Sequence, residues 1–349
     1  MNKNKIKNLK RDLLNTISYN INYPLQKPET VSFLITHRCC LNCEMCDSPK
    51  RSLKNQKEEL TLNQYLDIVD QLNKWKVKNI LLSGGEPLIR KKDCLGIIQH
   101  AASLNFNTTI VTNAYLWNKK ICEEFYKAGL TNFTTSLDGA KEETHDRIRR
   151  KKGSFKKVIN SLKHLNQLKL KDNNPHFSLN CTTVIMKSNF RELINIYPLL
   201  RNLGVTNIMY QAVSGDYPEL MMSEHEIKEF SDIVKELLKI KKTKGYISNL
   251  ESYFNLLPQY YKAKIKGKAF RLGGCLAAYN SLIITPEGGI DICGFGPYNI
   301  TLKDMKIKEL WHSKEFQECR KRVKQCNRQC MYLCYKKSNV KDLIKNLIR

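Results

Sequence analysis

No stretch of the 349-residue sequence reaches about 20 consecutive apolar residues, the length needed to cross a bilayer. The basic first residues are not followed by the apolar segment and small-residue cleavage site of a secretory signal. These two absences argue against an integral membrane protein and against a secreted one, so we expect a cytoplasmic protein. With 42% hydrophobic residues, the chain is long enough for about two globular domains.

Acidic residues are also scarce. Thirty-three Asp and Glu stand against 59 Lys and Arg, which gives a formal net charge of +26. Such a charge suits nucleic acid, an anionic membrane surface or an acidic partner. Because lysine is abundant along the whole chain, a generally solvated surface is the simpler explanation. The sequence has no RNP motif or similar RNA-binding signature, so nucleic acid is not an expected partner.

Cysteine, by contrast, is plentiful: the chain has 13, although a protein without an export signal keeps its thiols reduced. Reduced cysteines that occur in clusters usually bind metal. Cys94, Cys122 and Cys181 stand alone, and we expect them to be packed in the core. The other ten form two clusters, Cys39, Cys40, Cys43 and Cys46 in one loop, and Cys275, Cys293, Cys319, Cys326, Cys330 and Cys334 in the last quarter.

Strand and helix patterns alternate six times between residues 31 and 211. Such repeats demand a parallel sheet, doubly wound or curved into a full or partial barrel, with ligands at the carboxyl ends of its strands. A β-hairpin is predicted at residues 282–293, turning at Pro286 to Gly289. The predicted segments are a basic amphipathic extension at 1–28, the α/β core at 29–215, a helical linker at 216–269, a small cysteine-rich α+β module at 270–336 and a basic tail at 337–349.

The first cysteine cluster directly follows the first predicted strand. Cys39, Cys43 and Cys46 are spaced C-x3-C-x2-C, which lets three sulfurs turn towards a common point. A tetrahedral zinc ion would need a fourth ligand, Cys40 or His37. A cubane iron–sulfur cluster held by three thiolates would instead leave one iron open to a substrate or cofactor.

Polar residues follow the next three predicted strands at the same edge of the sheet. The second strand ends in Gly84-Gly85-Glu86-Pro87, the third in Thr112-Asn113-Ala114 and the fourth in Ser136-Leu137-Asp138-Gly139. The glycines allow a ligand to approach the backbone, Glu86 can bind an ammonium group, and Ser136 with Asp138 can hold a ribose. The alternative is that Glu86 and Asp138 only accept hydrogen bonds from loop amides.

These motifs, in this order, resemble those of radical S-adenosylmethionine enzymes. Cys39, Cys43 and Cys46 match the family's CxxxCxxC loop, with Cys40 as a bystander, and the family's TNG is Thr112-Asn113-Ala114 here. The stretch from Ser136 through His145, Asp146 and Arg149 resembles the ribose- and carboxylate-binding segment of peptide-maturase relatives. The resemblance implies that the cofactor contacts are Gly84, Gly85, Glu86, Pro87, Asn113, Ser136, Asp138 and Arg149.

The resemblance further implies a partial (β/α)6 barrel and a catalytic [4Fe-4S] cluster whose open iron is chelated by S-adenosylmethionine. One electron from the cluster would cleave the sulfonium to a 5′-deoxyadenosyl radical, which abstracts hydrogen from an unactivated C–H bond. The electron would come from a donor such as flavodoxin or ferredoxin.

The second cysteine cluster resembles the family's SPASM or twitch extension, which carries auxiliary iron–sulfur clusters. Cys275 and Cys293 flank the predicted hairpin, and the four-residue spacing of the last cysteines would align neighbours one helical turn apart. We expect one auxiliary [4Fe-4S] cluster, with zinc as the alternative, and Cys319 packed within a helix. The candidate ligands are Cys275, Cys293, Cys326, Cys330 and Cys334.

The sequence thus predicts a radical S-adenosylmethionine oxidoreductase or maturase that acts on a peptide, a protein or a small polar substrate, assisted by the auxiliary cluster. Its amphipathic first segment, with Lys3, Lys5, Lys7 and Lys10 among apolar residues, is expected to pack on the body or to lie on a membrane surface as a peripheral contact. The alternative function is an RNA-modifying or nucleic-acid-binding iron–sulfur protein, which the net charge alone supports.

Overall fold

The structure is a computed structural model that describes residues 3–47, 58–268, 270, 274–293, 298–302, 305–327 and 330–332. Within these ranges, no helix is both long enough and apolar enough to cross a membrane.

Six parallel strands, joined by helices, form the sheet that the sequence predicted. The strands are β1 (Thr30–Leu34), β2 (Asn79–Ser83), β3 (Asn107–Val111), β4 (Asn132–Ser136), β5 (Ser178–Ile185) and β6 (Asn207–Ala212). The helices are α1 (Lys3–Ile21), α2 (Leu62–Lys74), α3 (Lys91–Ser103), α4 (Lys119–Lys127), α5 (Glu142–Arg149), α6 (Ser154–Lys171), α7 (Leu193–Asn202), α8 (Glu224–Lys244) and α9 (Glu251–Ile265).

One face of the sheet is covered by helices and the other faces inward. In β1, buried Val31 and Phe33 alternate with the more accessible Ser32 and Leu34. The Phe33 ring packs 5.4 Å from that of Tyr65 in α2, so Ser32 and Leu34 face the inner side. The side chains on the inner side of β1 are therefore more accessible than those packed under the helices.

The cysteine-rich module does not have a separate sheet, because its strands extend the central one. These strands are β7 (Ser281–Ile284), β8 (Gly289–Asp291) and β9 (Tyr298–Thr301), and the helices that follow are α10 (Ile307–His312) and α11 (Lys314–Gln325). The strands run in the order β6-β5-β4-β3-β2-β1-β7-β8-β9, with β7 parallel to β1, β8 antiparallel to β7 and β9 antiparallel to β8. The hairpin predicted to turn at Pro286 to Gly289 is confirmed as β7 and β8.

The free edge of β6 is covered by the segment that the sequence predicted only as a helical linker. Tyr210 N donates to Asn249 Oδ1 at 2.9 Å, and Asn249 Nδ2 donates back to Tyr210 O at 2.7 Å. Ala212 N donates to the Tyr253 hydroxyl of α9 at 2.8 Å. Side chains thus make hydrogen bonds to backbone N–H and C=O groups of β6 that could otherwise pair with another strand.

The segment after α11 reaches from the module to the opposite end of the sheet. Gln211 Nε2, near the carboxyl end of β6, donates to Met331 O at 2.9 Å, and Met331 is fully buried. Since β6 and β7 lie on opposite sides of β1 in the sheet order, this contact spans the opening of the partial barrel.

The predicted packing of the isolated cysteines is confirmed, and the predicted helical alignment of Cys326 with Cys330 is wrong. Cys94, Cys122 and Cys181 are fully buried, and Cys319 is buried within α11. That helix ends at Gln325, and Cys326 follows as its C-cap with an extended ψ of 124°. Cys326 and Cys330 are therefore not aligned on one helix, because the backbone leaves the helical conformation where their spacing would begin.

Candidate active site

Main-chain hydrogen bonds hold the cysteine loop, residues 36–47, against the end of β2. Gly85 N donates to Thr36 O and Glu86 N donates to Arg38 O, each at 2.8 Å. A Cβ on Gly84 would lie 2.3 Å from Thr36 O, and one on Gly85 would lie 2.2 Å from Arg38 O. The sequence predicted glycines that admit a ligand, and in the structure their missing side chains admit the cysteine loop itself.

Glu86 is fully buried and joins the ends of β2 and β3. Its Oε1 accepts from Leu88 N at 3.1 Å and from Thr112 Oγ1 at 2.8 Å, and its Oε2 accepts from Asn113 N at 2.9 Å. Burial raises the pKa of this carboxyl to about 7, although the hydrogen bonds oppose the rise. Glu86 therefore accepts hydrogen bonds from loop amides and from the Thr112 hydroxyl, and these bonds fix the position of its carboxylate.

Asn113, which follows β3, directs its amide at the cysteine loop. Its Nδ2 lies 3.6 Å from Cys39 Sγ and also 3.6 Å from Cys40 Sγ. Ala114 has a φ of 61°, the left-handed conformation that the glycine of the family motif adopts without strain. Because Asn113 contacts both thiols equally, the bystander role of Cys40 remains a prediction.

A buried ion pair contacts the middle cysteine of the loop. Arg149 Nη2 lies 2.5 Å from Asp138 Oδ2, and Arg149 Nη1 lies 3.8 Å from Cys43 Sγ. Burial alone would lower the pKa of Arg149, but the negative charges of Asp138 and Cys43 outweigh it and raise that pKa. Burial raises the pKa of the Cys43 thiol, and the Arg149 charge opposes this rise. Arg149 thus favours the thiolate form that binds iron.

Three further residues fix Asp138. Val184 N donates to Asp138 Oδ1 at 2.8 Å, Asn189 Nδ2 donates to Asp138 O at 2.8 Å, and Asp138 N donates to His145 Nδ1 at 3.1 Å. Burial lowers the pKa of His145 to about 3, so the imidazole is neutral with its proton assigned to Nε2. The sequence singled out His145, but no local motif marks Val184 or Asn189.

Ser136 and Pro87 lie where the sequence placed them. Ser136 is the last residue of β4 and is in register with Thr182 of β5. Phe133 of the same strand packs on Trp117 at 4.7 Å, which leaves Ser136 on the inner side. Pro87 begins a short 3-10 helix, residues 87–90, and is buried. The eight predicted cofactor residues therefore gather at the ends of β2, β3 and β4 and in α5.

The donors around the loop fit an iron–sulfur cluster. His37, a possible fourth ligand for zinc, is paired instead with Glu287 of the β7–β8 turn, Nε2 to Oε1 at 3.2 Å. Among the described residues, no three His, Cys, Asp or Glu side chains converge on a single ion. Thiolates of a cubane cluster bind different irons, and hydrogen bonds to sulfur tune its potential. The N–H groups of Asn113 and Arg149 are placed for such bonds.

In the module, four cysteines share one neighbourhood. Burial raises the pKa of Cys275 to about 12, and the charges of Cys330, Cys293 and Cys326 add to this rise. Those three thiols therefore lie near Cys275. The fifth candidate, Cys334, lies outside the described residues.

Comparisons with known proteins agree with this site. A family model described as the Radical SAM superfamily matches residues 33–200. The chain is 24% identical over 299 residues to an AdoMet-dependent heme synthase of Methanosarcina barkeri, covering 82% of this chain and 83% of the relative. It is 26% identical over 245 residues to a PqqA peptide cyclase of Bradyrhizobium diazoefficiens, covering 68% of this chain and 60% of the relative.

The fold is similar to that of Streptococcus suis SuiB in a crystal structure with the precursor peptide SuiA. The TM-score is 0.64 at 16% sequence identity, over 87% of this chain and 69% of that one. This likeness agrees with the predicted α/β fold, an open sheet compatible with a partial barrel. The matched residues 33–200 are a radical SAM domain, the type that uses a [4Fe-4S] cluster and S-adenosylmethionine, and the protein is an enzyme.

Proposed function

We propose that the enzyme modifies a peptide by hydrogen abstraction, using a cluster held by the three spaced cysteines of its loop. The observation that supports this most directly is the meeting of the cysteine loop with three other segments. Glu86 bonds the loop backbone, Asn113 reaches Cys39, and Arg149 reaches Cys43. Side chains predicted to bind cofactor and side chains predicted to bind iron thus belong to one site.

When bound, the cluster and S-adenosylmethionine supply the one-electron chemistry that produces a 5′-deoxyadenosyl radical. The residues of the chain hold and orient them. We assign Glu86 to the cofactor's ammonium group, Arg149 to its carboxylate, and Ser136 with Asp138 to its ribose. Asp138 has a second task, because its ion pair holds the guanidinium of Arg149 beside Cys43.

We further propose one auxiliary [4Fe-4S] cluster in the module, with Cys334 kept as a fifth candidate ligand. Its role would be to accept the electron that the substrate gives up after hydrogen abstraction, or to anchor the substrate directly. A small redox protein such as flavodoxin or ferredoxin would deliver the electron that starts each turnover. The four favoured ligands are Cys275, Cys293, Cys326 and Cys330. This choice is supported by the raised pKa of Cys275, to which the charges of the other three thiols contribute.

Two substrate classes have support from the relatives. One relative is a peptide cyclase, and the structural neighbour was solved with a precursor peptide, which favours a peptide. The second class is a tetrapyrrole, because a heme synthase matches over 83% of its own length. We put the peptide first because the similar fold binds one in the solved complex.

The deciding experiment is an anaerobic incubation of the reconstituted full chain with dithionite and S-adenosylmethionine. Peptides encoded beside its gene are supplied in one arm and iron-coproporphyrin in the other. Mass spectrometry follows 5′-deoxyadenosine and the mass of each substrate. We expect 5′-deoxyadenosine together with a changed peptide, such as one that has lost two hydrogen atoms.

Cys43→Ala and Cys94→Ala form a matched pair, since both thiols are buried and only the first is a predicted iron ligand. Cys43→Ala should abolish 5′-deoxyadenosine formation, and Cys94→Ala should retain it. A changed porphyrin with an unchanged peptide would select the second substrate class. An iron-loaded protein that forms no 5′-deoxyadenosine would contradict the proposal.

A further inference from the structure

The first helix, α1, turns its polar side towards the protein and its apolar side towards solvent. Asn15 and Ser18 are only 4% and 1% exposed, whereas Leu13, Ile17 and Ile21 are 52%, 38% and 55% exposed. These three apolar residues are four positions apart, so they lie on one face of the helix. A surface helix of a globular protein usually buries such a face.

This orientation is fixed by specific contacts. Leu25 N donates to Ser18 Oγ at 3.0 Å, and Gln26 Nε2 donates to Asn15 Oδ1 at 3.1 Å. The residues after α1 therefore return along its polar side. The Tyr19 ring also packs 5.7 Å from that of Tyr279, just before β7. The apolar face points outward because the polar face is engaged with the body.

The exposed apolar side chains are concentrated in this one place. Tyr23 and Leu25, on the returning segment, are 47% and 46% exposed. Seven large hydrophobic side chains are exposed among the described residues, and five of them lie between residues 13 and 25. Scattered apolar residues need no explanation, but a concentration of them marks an interaction surface. We call these five the apolar stripe.

A basic groove lies beside the apolar stripe, between α1 and the amino-terminal ends of the strands. Its volume is about 710 Å³, and its one lining carboxylate, Glu29, is paired with Arg11. The groove therefore carries a strong excess of positive charge. The lining cations are Lys10, Arg11, Lys27, Lys76 and Lys78.

We propose that this face of the enzyme docks on an anionic lipid surface. The apolar stripe would enter the boundary between headgroups and acyl chains, and the basic groove would face the headgroups, as in interfacial amphipathic helices. A second copy of the chain is a poorer occupant. A symmetric interface sets a patch against its own copy, and the groove cations would then repel one another.

Docking in this way leaves the active site open. The basic groove includes Asn79 and Asn107, the first residues of β2 and β3. The cysteine loop instead follows the carboxyl end of β1, a strand parallel to both. Lipid contact and substrate entry would therefore use opposite ends of the barrel.

The test is flotation of the full chain with vesicles of phosphatidylcholine alone and with vesicles of equimolar phosphatidylcholine and phosphatidylglycerol. We expect binding to the anionic vesicles, little binding to the neutral ones, and weaker binding at high salt. The double variant Leu13→Ser/Ile17→Ser should reduce binding at least about tenfold, because it removes apolar area from the stripe. Lys10→Glu/Lys76→Glu should reduce binding to the anionic vesicles.

Leu170→Ser is the matched control, since Leu170 is 69% exposed in α6, outside the apolar stripe. It should bind as the parent does, and equal melting temperatures would show that the variants fold. The proposal is overturned by equal binding to both vesicles or by unchanged binding of Leu13→Ser/Ile17→Ser. It is also overturned if that variant instead dissolves a dimer seen by light scattering, which would assign the stripe to a second copy.

Discussion

Arg149 lies 3.8 Å from the sulfur of Cys43, although 106 positions of sequence separate the two residues. Both are buried, so the contact brings a fixed positive charge from α5 to the loop that follows β1. The other terminal nitrogen of the guanidinium, Nη2, is paired with Asp138, and this ion pair holds the positive charge in place. The folding of the β4–α5 segment and the charge beside the cysteine loop are thereby linked through one side chain.

The first prediction concerns this ion pair. Arg149→Met leaves a buried carboxylate without its partner, and Asp138→Asn leaves a buried guanidinium without its partner. We expect each change to lower the free energy of unfolding by about 3–5 kcal/mol. The double variant should cost clearly less than the sum, because it removes both charges. Urea unfolding of the iron-free protein measures all four species. Additive costs would show that the two charges do not interact.

The second prediction concerns the close approach at Gly85. A Cβ there would lie 2.2 Å from Arg38 O, so Gly85→Ala should displace the cysteine loop. We expect a loss of about 1–3 kcal/mol and a reduced iron content after reconstitution. Gly96→Ala is the control, because it meets only the flexible end of Leu62 at 3.0 Å and lies in a helix, where alanine is favoured. Normal iron loading of Gly85→Ala would contradict the steric argument.

The third prediction is a pH dependence that belongs to Glu86. Burial raises its pKa from the ordinary 4.5 to about 7. Between these values the folded state binds more protons than the unfolded state, so stability falls as the pH rises. Relative to Glu86→Gln, the iron-free protein should lose up to about 3 kcal/mol between pH 5 and 8. Unfolding of both proteins across this range is the measurement, and parallel pH curves would argue against a raised pKa.

The fourth prediction separates the adjacent thiols Cys39 and Cys40. Cys39→Ala should abolish cluster assembly and 5′-deoxyadenosine formation, whereas Cys40→Ala should retain both. The reason is the spacing to Cys43 and Cys46, which only Cys39 satisfies. Iron content and product formation are measured for both variants. The assignment fails if the two variants exchange these behaviours.

The fifth prediction concerns the auxiliary cluster. The triple variant Cys39→Ala/Cys43→Ala/Cys46→Ala should keep about four irons and a cubane signal in low-temperature EPR after reconstitution, half of about eight in the parent. Adding Cys275→Ala should remove these irons and destabilise the module, because the cluster also cross-links it. Adding Cys319→Ala, a buried helical cysteine, should leave the iron in place. A triple variant that holds zinc or no iron would reject the auxiliary cluster.

Local patterns were enough to predict most of the fold. The six parallel strands lie where the alternation of strand and helix patterns predicted them. Helix α5 was missed because its sequence, EETHDRIR, is strongly polar, and its burial comes from contacts that are distant in sequence. The pairing of β7 with β1 was missed because it too is distant in sequence: the paired residues Thr30 and Ser281 are 251 positions apart.

The position of a candidate site residue was predictable where the residue belongs to a short motif at the end of a predicted strand. The glycines, Glu86 and Asn113 stand at strand ends, and the parallel sheet brings such ends to one edge. The partners of Asp138 were not predictable, because Val184 N is a backbone group and Asn189 looks like an ordinary turn residue. The sequence also gave no reason to expect that the missing side chains of Gly84 and Gly85 make room for the cysteine loop.

The strand that carries the cysteine loop has the module on one side and the catalytic domain on the other. Exchange of modules between related enzymes would therefore be more than the replacement of an appendage. A chimera joined after residue 270 would have to bring a strand whose buried side chains, here Leu282 and Ile284, fit those beside β1. Without that fit, β1 would become an edge strand, and the loop after it would lose its contact between His37 and Glu287 of the β7–β8 turn. The sequences of the module and of the domain must therefore change together where β7 packs beside β1.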